Sequence, residues 1–451
     1  MDTTINPSEK QRIALVHLYD QETNFVGYGG SGFSGKSYVL GRWITNMCLQ
    51  YPGVGYGMAR KTLIDLKKTT LLTLFKIFKE CNISDGRDYN YNGQLNTIDF
   101  SNGSTIFLID LAYKPSDPLY TRLGGYELTG AGVDESVECP IEAINILYTR
   151  LGRRKNREYG IASKLLETFN PAKNHVYRRY YKPWKEGSLK STYQFIKALP
   201  TDNPSPETKD YVQGILDNSD RITIERLIHG NFEYDDDPAK LMEYDSITNL
   251  FTNDFVGRNE QGELLPCNNY ITCDPARFGV DLTVIMVWEG YRVVHIESHA
   301  KTSIPDTVDL ITIQANKYSV PRSRIVVDSD GLGGGVSDML RCKEFQANRT
   351  PIEQKGKKQN YANLKSQCYY ILAEKVNKAE IYIESGDTSI NDKIIEELEV
   401  VKQKDIDKDN KMAIMPKDKV KELIGRSPDY SDTLMMRIFL DLSKTGIMAT
   451  V

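Results

Sequence analysis

The sequence predicts a two-domain α/β protein, and three observations carry that expectation. The run Gly30-Ser31-Gly32-Phe33-Ser34-Gly35-Lys36-Ser37 satisfies the phosphate-loop pattern GxxxxGK[ST] at every constrained position. Strand-like apolar runs alternate with helical spacings up to about residue 235, the habit of an α/β domain. From about Asn269 the pattern changes to three closely spaced apolar runs, which read as an antiparallel meander. At 451 residues the chain is long enough for two or three separate cores.

Taken in order, Asn24 to Tyr28 reads as a short strand, and Val39, Leu40, Trp43, Ile44, Met47 and Cys48 recur at helical spacing after the glycine-rich loop. Strand, loop and helix is the order that nucleotide binding needs. The glycines let backbone N–H groups wrap a polyphosphate at a helix amino terminus, Lys36 meets the β- and γ-phosphates, and the Ser37 hydroxyl can ligate Mg²⁺. Hydrolysis further needs one carboxylate for the metal and another to orient water. The adjacent pair Asp134-Glu135, after a strand from Tyr126 to Val133 that Gly130 and Gly132 interrupt, is best placed for those two roles. A second apolar strand, Lys164 to Phe169, ends at Asn170-Pro171, where an amide could sense the γ-phosphate or a plain turn could form. The acidic run Glu233 to Asp237, closed by Pro238, breaks the periodicity and suggests a linker. The expected division is a first domain over 1–235, a linker over 236–265 and a second domain over 266–451.

In the second half Tyr270 to Cys273, Leu282 to Trp288 and Tyr291 to Ile296 form the meander, and Arg324 to Val327 is a further strand. Asp274 ends the first strand, with Asp281 on the turn that follows. Asp328 ends the fourth, with Asp330 in the glycine-rich turn Gly331 to Gly335. Asp429 and Asp432 open the helical stretch Leu434, Met435, Ile438, Phe439 and Leu442. Carboxylates from two strand ends and a helix start are what a two-metal nuclease uses, since hard oxygen ligands hold two Mg²⁺ or Mn²⁺ ions. Each aspartate alone is also an ordinary turn or cap residue.

The composition, 40% hydrophobic and 26% charged, is that of a soluble globular protein, and no apolar run approaches the roughly 20 residues of a membrane span. Met1-Asp2-Thr3-Thr4 lacks the basic-then-apolar order of a signal peptide, so a cytoplasmic protein is expected. Seven cysteines without a CxxC pair point to free thiols in a reducing compartment. A net charge of −4 does not advertise nucleic acid, although an acidic site can mask a local basic groove. Three basic clusters are candidates for such a groove or for solvated faces: Arg150, Arg153, Arg154, Lys155 and Arg157; Arg178, Arg179 and Lys182 beside Tyr180 and Tyr181; and Lys355, Lys357 and Lys358.

In this order the motifs resemble those of the large terminase subunit of tailed bacteriophages, the motor that packages DNA into capsids, and the resemblance covers nearly the whole chain. Gly30 to Ser37 resembles the Walker A loop, Asp134-Glu135 the Walker B acid and catalytic glutamate, and Thr168-Phe169-Asn170-Pro171 the coupling motif. Cys273 to Asp281 and Val327 to Gly331 look like the two strand-borne nuclease motifs. The most specific piece is Lys417 to Lys421 followed by Gly425-Arg426-Ser427-Pro428-Asp429-Tyr430-Ser431-Asp432-Thr433-Leu434, similar to the family's "K…GxSPDxxDAL" signature. Gln11, in Pro7 to Gln11, resembles the adenine-reading glutamine, with a helix cap at Ser8 as the competing reading. Arg60 sits where many members carry an arginine that could act as a finger, and a plain surface arginine is equally consistent.

The resemblance implies an ASCE-type P-loop ATPase followed by a ribonuclease H-like nuclease. It implies ATP and Mg²⁺ at the first site and paired Mg²⁺ or Mn²⁺ ions at the second, with Asp274, Asp328 and Asp429 as ligands and Asp432 as the fourth candidate. The implied partners are double-stranded DNA, a small terminase subunit and the portal of the procapsid, with a homo-oligomeric ring when docked and no membrane. The implied place is the host cytoplasm, with the protein absent from the mature virion. Competing functions are a nucleotide-gated DNA-binding or scaffolding protein whose nuclease-like half does not cut, and a repair protein or helicase.

Overall fold

A computed structural model describes residues 7–203, 205, 207–233, 237–276, 281–330, 333–354, 359–404 and 411–445. Arg277 to Val280 of the stretch that resembles a nuclease motif, Gly331 and Leu332, the lysines 355, 357 and 358, and residues 405–410 lie outside the described residues. The chain divides into two compact units, 1–236 and 237–451.

The first unit is built on eight strands: β1 (Phe25–Gly30), β2 (Gly55–Arg60), β3 (Tyr89–Asn92), β4 (Thr97–Phe100), β5 (Thr105–Asp110), β6 (Gly130–Val133), β7 (Leu165–Phe169) and β8 (Tyr193–Ala198). Their order is β3-β4-β5-β2-β6-β7-β1-β8. Strands β5, β2, β6, β7, β1 and β8 run parallel, while β3 and β4 make an antiparallel edge that the alternating sequence pattern did not suggest. Strand β7 lies between β1, which leads into the phosphate loop, and β6, which ends at the acid pair. That inserted strand is the ASCE arrangement. It brings the loop, Asp134 and Asn170 to one edge of the sheet.

Strand β6 is shorter than the expected Tyr126 to Val133, starting only at Gly130, and a 3₁₀ turn over residues 121–125 precedes it. Its glycines are packing devices rather than interruptions. A Cβ at Gly132 would stand 2.8 Å from Leu40, and one at Gly130 would stand 2.8 Å from the Tyr56 ring. Bare strand backbone therefore lets the helix Lys36–Gln50 seat Leu40 and Trp43 directly on the sheet, in a core with Val26, Tyr28, Tyr56 and Met58.

The second unit carries β9 (Asn269–Asp274), β10 (Leu282–Glu289), β11 (Arg292–Ala300), β12 (Ile325–Asp328), β13 (Lys343–Phe345) and β14 (Tyr382–Ile383), ordered β13-β12-β9-β10-β11-β14. An antiparallel meander β9-β10-β11 followed by β12 and β13 parallel to β9 is the ribonuclease H-like arrangement. Ile271, Cys273, Ile285, Val287 and Val327 pack against Ile311 and Val336 of two helices. The helix Asp429–Thr445 packs on β9 and β10, and every residue from Ser427 to Leu440 is buried, the polar Asp429, Asp432 and Arg437 among them.

The stretch expected as a linker belongs to the second unit from Asp237 onward. It contains the helix Tyr244–Asn249 and buries Met242, Tyr244, Ile247 and Leu250. All seven cysteines are free thiols. Among the described residues, no helix is long and apolar enough to cross a membrane.

Candidate functional site

In the first unit, Gly35 caps the helix Lys36–Gln50 with φ 76°, a left-handed conformation that glycine adopts without steric cost. The helix amino terminus thereby follows directly on the loop, which is the geometry that anions favour. Lys36 is 7% exposed, and its ammonium donates to the Ser31 carbonyl and to Asn170 Oδ1 at 2.9 Å. Burial pulls its pKa down, and the charges of Glu135 and Asp134 oppose that pull. Ser37 Oγ donates to Asp134 at 3.0 Å, and Thr70 Oγ1 donates to the same carboxylate at 2.6 Å, as does the Thr168 hydroxyl. Asn170 bridges the site, because its Nδ2 donates to Glu135 Oε2 at 3.2 Å while its Oδ1 accepts from Lys36.

Glu135 stands just past β6 at φ 49°, and burial together with Asp134 raises its pKa. The donors at this edge suit a phosphate with its Mg²⁺: a loop of backbone amides, a buried ammonium, and a hydroxyl already paired with a carboxylate. Lys36, Ser37, Asp134, Glu135 and Asn170 are thus brought together as the spacing suggested. Thr70 had no local signal, since it reaches Asp134 only through packing of the helix Thr70–Glu80.

Two softer candidates resolve differently. Gln11 completes a capping box with Ser8 (Ser8 N to Gln11 Oε1 2.9 Å), and its Nε2 reaches the Gly35 carbonyl at 3.4 Å. Its amide is therefore engaged with the helix cap and the loop. Arg60 ends β2, bonds to Thr69, lies 3.9 Å from Glu138 and lowers the pKa of Glu135 by its charge, which sets it apart from a plain surface arginine.

In the second unit, Asp274, Asp281, Asp328, Asp330 and Asp429 line one cleft of about 800 Å³ together with Lys365 and Lys417. The ends of β9 and β12 and the start of the helix Asp429–Thr445 supply the central acids. Burial pushes Asp274 well above the usual carboxylate range, and its neighbours Asp429, Asp432 and Asp328 push the same way. Its Oδ2 is buried without a hydrogen-bond partner. Asp328 is pushed up to about 6, mainly by burial and with Asp432 adding to the effect. Asp429 is raised as well, by burial, although its Oδ2 accepts from Leu282 N at 2.8 Å.

Asp432 differs. It lines the narrow pocket behind the cleft, where Lys365 at 2.7 Å, Lys417 at 3.2 Å and the Tyr369 hydroxyl at 2.7 Å answer it. Burial works against its charge, yet the two lysines hold its carboxyl well below the usual range. Lys365 and Tyr369 lie on the helix Leu364–Asn377 and carried no sequence signal. Among the described residues no three acidic, thiol or imidazole side chains are gathered closely enough to hold an ion as they stand. The cleft offers hard oxygen donors along its wall, and at least one buried oxygen is unpartnered, which is the chemistry of a Mg²⁺ or Mn²⁺ site.

Of the basic clusters, the second has two members tied into the fold. Arg179 donates to Glu167 at 2.7 Å, and the Tyr180 hydroxyl donates to the same buried carboxylate at 2.8 Å, so neither is offered to a polyanion. In the first, Arg154 binds the Gly53 carbonyl at 2.9 Å and Lys155 pairs with Glu158, while Arg153 and Arg157 are exposed.

No family model and no curated protein matches the chain. Among solved structures it is similar to the large terminase from a thermophilic bacteriophage in complex with ADP, at 16% identity over 96% of this chain and 98% of that one, with a TM-score of 0.41. It is also similar to the nuclease domain of the large terminase subunit gp2 of bacterial virus Sf6, at 18% identity over 44% of this chain and 98% of that one, with a TM-score of 0.39.

Proposed function

We propose that this chain is the ATP-driven subunit of a viral DNA-packaging motor, an ATPase joined to a metal-dependent DNA endonuclease. The observation that carries the proposal is the pairing in one chain of a phosphate loop wired through Asn170 to Glu135 with an aspartate-lined cleft on a ribonuclease H-like sheet. A helicase with two motor lobes in one chain would need a second motor domain, and a scaffolding protein would have no use for Asp274, Asp328 and Asp429 lining one cleft at electrostatic cost.

In the first unit Lys36 and the loop amides bind the β- and γ-phosphates. Ser37 and Asp134 would hold Mg²⁺, which neutralises phosphate charge. Glu135 orients the attacking water, and Asn170, touching both Lys36 and Glu135, registers the loss of the γ-phosphate. Arg60 is the candidate to stabilise charge on the departing phosphate.

In the second unit Asp274, Asp328 and Asp429, with Asp432 as the fourth candidate, would hold one or two Mg²⁺ or Mn²⁺ ions, which supply an activated water and stabilise the leaving oxygen. Asp429 ranks before Asp432 because it faces the cleft while Asp432 is answered by lysines. Double-stranded DNA is the substrate, held through its backbone because packaging must tolerate any sequence. A small terminase subunit, a portal ring and copies of the chain itself are the proposed partners, in the host cytoplasm and outside the finished virion.

The test is ATP hydrolysis and Mn²⁺-dependent plasmid cleavage measured on one preparation, with Lys36→Ala and Asp274→Asn beside the natural chain. Each variant is expected to lose one activity and keep the other. Loss of neither activity would refute the assignment.

A further inference from the structure

The loop pattern GxxxxGK[ST] leaves its third position free, yet this chain has glycine there. Gly32 does not adopt the left-handed backbone that would demand glycine. What demands it is a neighbour: a Cβ at Gly32 would stand 2.0 Å from the Tyr211 hydroxyl, so only a residue without a side chain lets that phenol touch the loop. Tyr211 comes from the helix Thr208–Asn218, remote in sequence, and stacks flat on Phe33 with ring centroids 4.9 Å apart. Phe33 itself sits at φ 56°, and Asn203 Nδ2 holds its carbonyl at 2.7 Å. The segment after β8 is thus fastened to the outer turn of the loop at two successive residues.

The phenol lies against the phosphate loop itself, at Gly32 and Phe33. Burial and the Glu135 carboxylate both raise its pKa, so it remains a neutral donor. Among the described residues its hydroxyl has no hydrogen-bond partner. Lys36, the residue that meets the γ-phosphate in a phosphate loop, bonds to the carbonyl of Ser31, the residue before Gly32, and is joined to Glu135 through Asn170.

We propose that the Tyr211 hydroxyl donates a hydrogen bond to the terminal phosphate of a bound nucleoside triphosphate, so that the site discriminates triphosphate from diphosphate. The inference rests on the ATPase reading of the same site. It assigns Gly32 a reason to be glycine and Phe33 the task of setting the phenol's orientation.

Equilibrium binding of AMP-PNP and of ADP to the full chain tests it, with Tyr211→Phe, Gly32→Ala and Lys36→Ala. Tyr211→Phe keeps the stacked ring and removes only the donor. It is expected to weaken AMP-PNP about tenfold, the scale of one hydrogen bond to a charged group, while ADP changes less than about twofold. Gly32→Ala, which displaces the phenol but also alters the loop, should weaken AMP-PNP more than ADP, and the extra loss for AMP-PNP should be absent when it is combined with Tyr211→Phe. Equal losses for both nucleotides, or no loss in Tyr211→Phe while Lys36→Ala abolishes binding, would overturn the Tyr211 assignment alone. Undiminished binding in Lys36→Ala would overturn the P-loop reading and this inference with it. Unchanged melting of Tyr211→Phe confirms that the fold is intact.

Discussion

The two acidic centres of this chain stand at equivalent places, the carboxyl ends of central strands, and are built on opposite electrostatic plans. In the first unit each carboxylate has a donor: Asp134 accepts from Ser37, Thr70 and Thr168, and Glu135, although burial and Asp134 raise its pKa, accepts from Asn170 with the charges of Lys36 and Arg60 close by. In the second, Lys365 and Lys417 answer Asp432, but Asp274 keeps a buried oxygen without a hydrogen bond, and Asp274, Asp328 and Asp429 are all raised in pKa. The contrast follows the charge of what each is proposed to bind. A nucleotide brings negative charge, so its site keeps a buried cation. A metal pair brings positive charge, so its site holds carboxylates that only cations can reconcile.

That comparison can be broken by substitutions that act on one centre alone. The largest effect is expected from Lys36→Ala, which should lower ATP turnover by at least about 100-fold, as removal of a charge-stabilising group does, while leaving plasmid cleavage unchanged. Steady-state phosphate release and a nicking assay read the two together. Next, Glu135→Gln should keep ATP binding and lower turnover by about 10²- to 10⁴-fold, since the amide preserves shape without the carboxylate that orients water. Labelled-nucleotide binding beside turnover checks it, and natural turnover would place the acid elsewhere.

A smaller effect sharpens the second centre. Only ionised carboxylates ligate a metal, and Asp328 holds its proton up to about pH 6. Mn²⁺ affinity should therefore fall as pH drops through about 6, with the raised Asp274 and Asp429 adding to the fall, and Asp328→Asn should remove most of the binding. Calorimetric Mn²⁺ titration between pH 5 and 8 measures it.

Much of this was legible in the sequence, for reasons that differ between elements. The loop Gly30 to Ser37 could be read because phosphate binding constrains consecutive residues, and β9, β10 and β12 because they are apolar runs ended by aspartates. Strand β6 was poorly legible because its two glycines, which weaken any strand signal, are selected by the approach of Leu40 and Tyr56 from elsewhere in the chain. Two members of the second basic cluster were hard to read for a similar reason: Arg179 and Tyr180 are polar by composition but spend that polarity on the buried Glu167. Thr70, Lys365 and Tyr211 were invisible because each reaches its site by tertiary packing, and no local pattern records where a helix will dock.

The measurement that bears most directly on the opposite plans is thermal melting of metal-free protein near pH 8 for Asp134→Asn and Asp274→Asn. Asp134→Asn weakens charge-assisted hydrogen bonds from three hydroxyls and leaves buried Lys36 with less opposing charge, so it should destabilise by about 1 kcal/mol. The sign reverses for Asp274. Its raised pKa means that the folded state disfavours the ionised form, so its contribution to stability falls as pH rises above the ordinary carboxylate value. A permanently neutral amide removes that penalty, and Asp274→Asn should melt higher than the natural chain without metal while losing the stabilisation that Mn²⁺ gives. Destabilisation by both substitutions, with Mn²⁺ still raising the melting temperature of Asp274→Asn, would contradict the account.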